Sequence, residues 1–146
     1  LSESQGAVPA PLVLDVSVIT ALVRGDPDVT GLVLGWDADG QPLVLPVLAV
    51  AGASLDVRGA EAKAVLGGLE SLAGVSVAPL QDAEQASRLA AVIAGTELDP
   101  WDAHAAMTAD SLVTRILTLD GPKWAEHAGG LDEPLHYIEI ADPDEG

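Results

Sequence analysis

Short apolar runs alternate along this chain with longer stretches whose apolar residues recur at three- and four-residue intervals, the two periodicities of buried strands and packed helices. Leu12-Val13-Leu14, preceded by Pro9 and Pro11, predicts a strand over Pro11 to Asp15. A helix follows at once, with Ser17 as its cap, Val18, Ile19, Leu22 and Val23 at helical spacing, and Gly25 with Pro27 as its stop. Val29, Leu32, Val33 and Trp36 carry the same interval through a second helix over Asp28 to Trp36, closed by the turn cluster Asp37-Ala38-Asp39-Gly40. Leu43-Val44-Leu45 fits either a short strand or a loop, and Pro46 suits the first turn of a further helix to about Val57.

The remainder repeats the order. A helix is expected over Ala60 to Leu72, a strand at Val75-Ser76-Val77 between Gly74 and Pro79, and a helix from Asp82 to about Ala94 that ends at Gly95. Pro100 to about Leu112 reads as helix, Arg115 to Leu119 as strand, Gly121 to about Ala128 as helix, and Leu135 to Ile140 as a last strand. Strands alternating with helices predict an α/β fold, three-layer α/β/α with a mostly parallel central sheet. No internal repeat or linker divides it. One domain is expected over 12–140, between a flexible N-terminal segment 1–11 and an acidic tail 141–146. A chain of 146 residues is long enough to bury a sizeable core without staples.

Composition narrows the function classes. Apolar residues make up 49% of the chain, but the longest such stretch, Leu43 to Ala53, contains Pro46 and Gly52 and is too short to span a bilayer, so no membrane association is expected. The absence of cysteine excludes disulfide scaffolds, thiolate metal sites and cysteine nucleophiles. Leu1 to Gly6 lacks a basic start followed by an apolar core, which points to a cytoplasmic protein, and the missing initiator methionine to a trimmed end. Six Lys and Arg against 23 Asp and Glu leave a net charge of −17, which repels nucleic-acid phosphates and anionic membranes at long range. Part of that excess is local, since residues 132–146 carry Asp132, Glu133, Glu139, Asp142, Asp144 and Glu145 and no Lys or Arg.

Three aspartates stand at element boundaries: Asp15 after the first strand, Asp102 at the start of the helix from Pro100, and Asp120 after Ile116-Leu117-Thr118-Leu119. Carboxylates gathered at one edge of a sheet are an ordinary way to hold a hard divalent cation. Each also has a local reading. Asp15 suits a helix cap, Asp120 before Gly121-Pro122 suits a turn, and Asp99-Pro100-Trp101-Asp102 reads as Ncap through N3, with Asp99 as the cap.

The combination resembles the PIN domain, the nuclease fold of VapC-type toxins and related ribonucleases. The resemblance rests on Leu12-Val13-Leu14-Asp15-Val16-Ser17 and on Asp102-Ala103-His104-Ala105-Ala106 followed by Ile116-Leu117-Thr118-Leu119-Asp120, and it covers about Leu12 to His127. It implies hydrolysis of RNA phosphodiesters with Mg²⁺ or Mn²⁺ held by Asp15, Asp102 and Asp120, the ions activating water and neutralising charge on the phosphate. Ser17 and Thr118 would orient ligands or waters, or serve as a cap and a strand hydroxyl. As a toxin of this kind the chain would meet an antitoxin segment and, by the same resemblance, form a homodimer.

The chain departs from the pattern at one place. PIN domains usually carry a glutamate on the helix after a short apolar segment with proline, and that place falls at Gly52, which offers no ligand and costs a helix about 1 kcal/mol relative to alanine. Asp56, one turn further on, is the nearest substitute. The six basic residues are scattered, with Lys123 and Arg24 the candidates for a phosphate contact or for a local ion pair. Trp36, Trp101 and Trp124 read as packing residues, and His104, His127 and His136 as structural. Two functions follow: a metal-dependent PIN ribonuclease with a weakened acidic site, or a catalytically inactive PIN-like module that binds a protein or regulates one. A receiver-like signalling domain fits less well, because the first strand delivers one acid and not a pair.

Overall fold

The computed structural model describes residues 9–127 and 136–140. In chain order these form β1 (Leu12–Leu14), α1 (Val16–Val23), α2 (Pro27–Ala38), β2 (Leu43–Pro46), α3 (Val47–Asp56), α4 (Ala60–Ser71), β3 (Val75–Ala78), α5 (Ala83–Thr96), α6 (Pro100–Leu112), β4 (Ile116–Thr118), α7 (Gly121–His127) and β5 (Tyr137–Glu139). All strand pairs are parallel, in the order β3-β2-β1-β4-β5. The sequence pattern therefore gives the right class, an α/β/α sheet protein. Of the outer segments, 1–8 and the tail 141–146 lie outside the described residues, as does Leu135 at the start of the expected last strand.

Alternation along the strands builds two cores. Leu14, Leu43, Leu45 and Leu117 face one side of the sheet and pack with Val18, Ile19, Leu22 and Val33. Val13, Val44 and Ile116 face the other, where Ala103, Ala106, Leu89 and Trp124 cover them. Both faces are buried, so the strands read as continuous apolar runs, the signature of a covered parallel sheet. That burial settles the ambiguity at Leu43–Leu45, which pairs with β1 and β3 as a strand.

Several element ends differ from expectation. Asp15, and not Ser17, caps α1: its side chain accepts from the Val18 N–H. Pro46 is the last residue of β2 and the N-cap of α3 instead of its first helical residue. Gly95 lies inside α5, which runs on to Thr96 because the Thr96 hydroxyl donates to the Val92 carbonyl at 2.7 Å and accepts from the Leu98 N–H at 3.2 Å. The left-handed turn that ends this helix falls on Glu97 (φ 62°).

The helix α6 is the spine of the second core, with every residue from Asp102 to Ala109 buried. Its alanines allow close approach to α3, whose facing residues Ala49, Gly52 and Ala53 are equally small. His104 joins the two: its Nδ1 accepts from the Leu48 N–H at 3.3 Å. Burial lowers the His104 pKa, against a smaller upward pull from its hydrogen bond to the Pro79 backbone. A folded-state pKa below the unfolded one gives a contribution that is complete above about pH 6.5 and is lost as pH falls through the folded value. Wild-type urea stability should therefore drop, as pH falls below about 6.5, by more than that of His104→Asn. Parallel profiles for the two proteins would remove His104 as the source.

Candidate functional site

The strand order places a topological switch point between β1 and β4. From β1 the chain winds outward through β2 to β3, then returns to the opposite side of β1 with β4. Open parallel sheets bind ligands in the crevice beyond the carboxyl ends at such a point. Leu14 pairs with Leu117, so Asp15 leaves its strand beside the end of β4. Asp102, in the first turn of α6, reaches the same place.

Asp15 is completely buried and its carboxylate accepts four hydrogen bonds. Oδ1 accepts from the Ser17 hydroxyl at 2.6 Å and the Val18 N–H at 3.1 Å, while Oδ2 accepts from Trp124 Nε1 at 2.8 Å and Lys123 Nζ at 3.3 Å. Lys123 Nζ also donates to Asp102 Oδ1 at 3.0 Å, and it lies 5.1 Å from the centre of the Trp124 ring. One ammonium group thus bridges the two acids. Burial raises the Asp102 pKa; the Lys123 charge and hydrogen bond oppose this, and the Asp15 and Asp99 charges add to it. For Lys123, burial works against the charged form, but the two carboxylates outweigh it and hold its pKa above the usual lysine value.

The other residues singled out in the sequence take different places. Asp120 is exposed, and its Oδ1 accepts from the Lys123 N–H at 3.2 Å, so it serves the start of α7 as a helix cap would. Thr118 Oγ1 accepts from the Asp120 N–H at 2.9 Å and sits 3.4 Å from Ser17 Oγ, which itself accepts from the Leu119 N–H at 2.9 Å. These hydroxyls stitch α1 to the end of β4 and orient Asp15. Asp99 occupies the N-cap position of α6 without a side-chain cap bond. Asp56 is paired with Arg24 at 2.6 Å, both side chains being more than half exposed (55% and 59%), too solvated for the pair to add much stability.

Gly52 faces Trp101. A Cβ built there would lie 3.0 Å from the Trp101 ring and 3.1 Å from Val16 Cγ2, closer than ordinary packing. Gly52 is therefore the residue that leaves room for the indole against α3. Beside it opens a cleft of about 540 Å³ lined by Ser17, Thr20, Arg24, Gly52, Asp56 and Trp101. Trp124, by contrast, is wholly buried, as a packing residue should be, but its indole N–H is spent on Asp15.

Of the three aspartates singled out in the sequence, Asp15 and Asp102 meet here and Asp120 does not; the sequence offers Lys123 for a phosphate contact or a local pair, and Trp124 only for packing. A signal existed: Lys123 and Trp124 follow directly on an Asp-Gly-Pro helix start that stands at a strand end, which turns the first turn of α7 back toward that end. The donor set does not suit a divalent ion. Asp15 has both oxygens engaged, Asp102 shares the lysine, and among the described residues no three Asp, Glu, His or Cys side chains converge on one point. No family model matches the chain, and no curated protein shows similarity to it.

Proposed function

We propose that this chain is a PIN-like protein that acts by binding a basic protein partner and not by hydrolysing RNA. The observation that carries this reading is the unfinished acid set: Asp120 is turned to the start of α7, and the place of the usual glutamate is Gly52 beneath Trp101. The PIN likeness itself is supported by Asp15 and Asp102 meeting at the switch point.

A surface for the partner lies on the opposite side of α1. Between α2 and α4, both packed on α1, runs an apolar hollow of about 230 Å³ with Leu22 as its floor and Val33, Leu34, Val65, Leu69 and Leu72 along its walls. Leu34 is 48% exposed. Glu61 precedes Val65 by one turn and is exposed, so the α4 wall begins in an acid, whereas Asp37, one turn past Val33, is held at 3.0 Å by the Gly74 N–H. With a net charge of −17, the chain repels a second copy of itself and an anionic lipid surface alike. The occupant that fits is an amphipathic helix with aliphatic anchors at helical spacing and flanking Lys or Arg.

The test pairs two measurements. Wild-type protein should leave single-stranded RNA intact in millimolar Mg²⁺ or Mn²⁺, and it should bind a leucine-anchored, lysine-flanked model helix that Leu34→Asp no longer holds. A peptide ignored by the wild type, or held equally by the variant, would sink the binding surface. The second reading is metal-dependent hydrolysis of RNA phosphodiesters, and it rests on the convergence of Asp15 and Asp102. Metal-dependent RNA cleavage that Asp102→Asn abolishes would put it in first place.

A further inference from the structure

We infer that Lys123 is the resident cation of the acid pocket, a side chain occupying the electrostatic place that a divalent ion would otherwise take. Two carboxylates at one sheet edge, one of them wholly buried, repel each other and need a positive charge between them. Lys123 Nζ supplies it, 3.3 Å from Asp15 and 3.0 Å from Asp102, on a side chain only 17% exposed.

The neighbouring residues fix that ammonium in place. Asp120 holds the Lys123 N–H, and Trp124, the next residue, is anchored by its own bond to Asp15. The lysine thus enters the pocket from a helix whose first turn is tied at both ends of the Lys123–Trp124 pair. Gly121 allows that helix to start against Glu139 of β5, whose carboxylate fills the space a Cβ would need. No other lysine or arginine is paired with Asp15 or Asp102 among the described residues.

A protein built this way is indifferent to divalent metal, and the indifference belongs to one residue. Lys123→Met keeps most of the aliphatic stem and removes the charge. Its thermal midpoint should fall by about 10 °C or more, as when one partner of a buried pair is lost. Millimolar Mn²⁺ should then restore a large part of that fall, while leaving the wild-type midpoint where it was. Adding Asp102→Asn removes one of the two repelling charges, so the double variant should melt above Lys123→Met in the absence of metal and should no longer respond to Mn²⁺.

A wild-type midpoint raised by Mn²⁺ as much as that of Lys123→Met would overturn the inference. So would a destabilised Lys123→Met that ignores metal, since Lys123 would then matter for packing alone. Should Lys123→Met fail to fold, recovery of a folded protein by Asp102→Asn supports the resident charge, and no recovery refutes it. The inference rests on the reading above only in taking Asp15 and Asp102 as the pocket's acids. Melting curves need neither RNA nor a partner, so the two can fail separately.

Discussion

Asp15→Ala should lose about 3–5 kcal/mol of folding stability, the scale on which removing one member of a buried charge pair acts. Against the roughly 5–15 kcal/mol that holds a domain together, such a loss leaves it close to unfolding. The reason is the number of donors left behind. Asp15 serves the Ser17 hydroxyl, the Val18 N–H, the Trp124 indole N–H and the Lys123 ammonium, and it is wholly buried. Without it, the cap of α1, the indole of the second core and the pocket's cation each lose a partner in a place that water does not reach readily. Asp15→Asn should fall between wild type and alanine, because Oδ1 can still serve Ser17 and Val18 while an amide NH₂ faces two donors. Asp102→Asn should cost much less, since that carboxyl has one partner and its burial already disfavours the charge. Urea midpoints for the three variants check the order. Equal losses at Asp15 and Asp102 would show that the four-donor arrangement carries no special weight.

That contrast also explains how far the sequence could be read. The helix α6 was legible because its start is local chemistry: Pro100 at its first turn after Asp99, and small apolar residues beyond. The strand β2 was not, because Leu43-Val44-Leu45 has no local preference and becomes a strand by pairing on both sides. At the site, the identities of Asp15 and Asp102 were readable from their places at element ends, and their convergence followed once β4 lay beside β1. What sequence spacing does not reveal is direction. Asp120 stands at a strand end as Asp15 does, yet it turns to the N–H of Lys123, and Asp56 turns to Arg24. Lys123 read as a possible phosphate contact or local pair; its partners come from β1 and α6, 108 and 21 residues away, a juxtaposition that only the sheet order creates.

Introducing a carboxylate at Gly52 should harm the fold before it helps any chemistry. Gly52→Glu should lose about 2–4 kcal/mol, combining overpacking with the burial of a charge. The geometry is explicit: the first atom of any side chain there would sit 3.0 Å from the Trp101 ring and 3.1 Å from Val16 Cγ2, and Gly52 is itself buried. Even Gly52→Ala, which gains about 1 kcal/mol of helix propensity at an open site, should come out neutral or worse because the indole must shift. The diagnostic is the double variant. Trp101→Ala alone should be destabilising, since it opens space against Gly52 and Val16, but Gly52→Glu/Trp101→Ala should be more stable than the sum of the single losses predicts. A coupling of at least about 1 kcal/mol in a denaturation cycle would show that Gly52 and Trp101 are one arrangement, the glycine leaving the space that the indole covers. Strict additivity would separate them, and the glycine would then have no packing reason to be there.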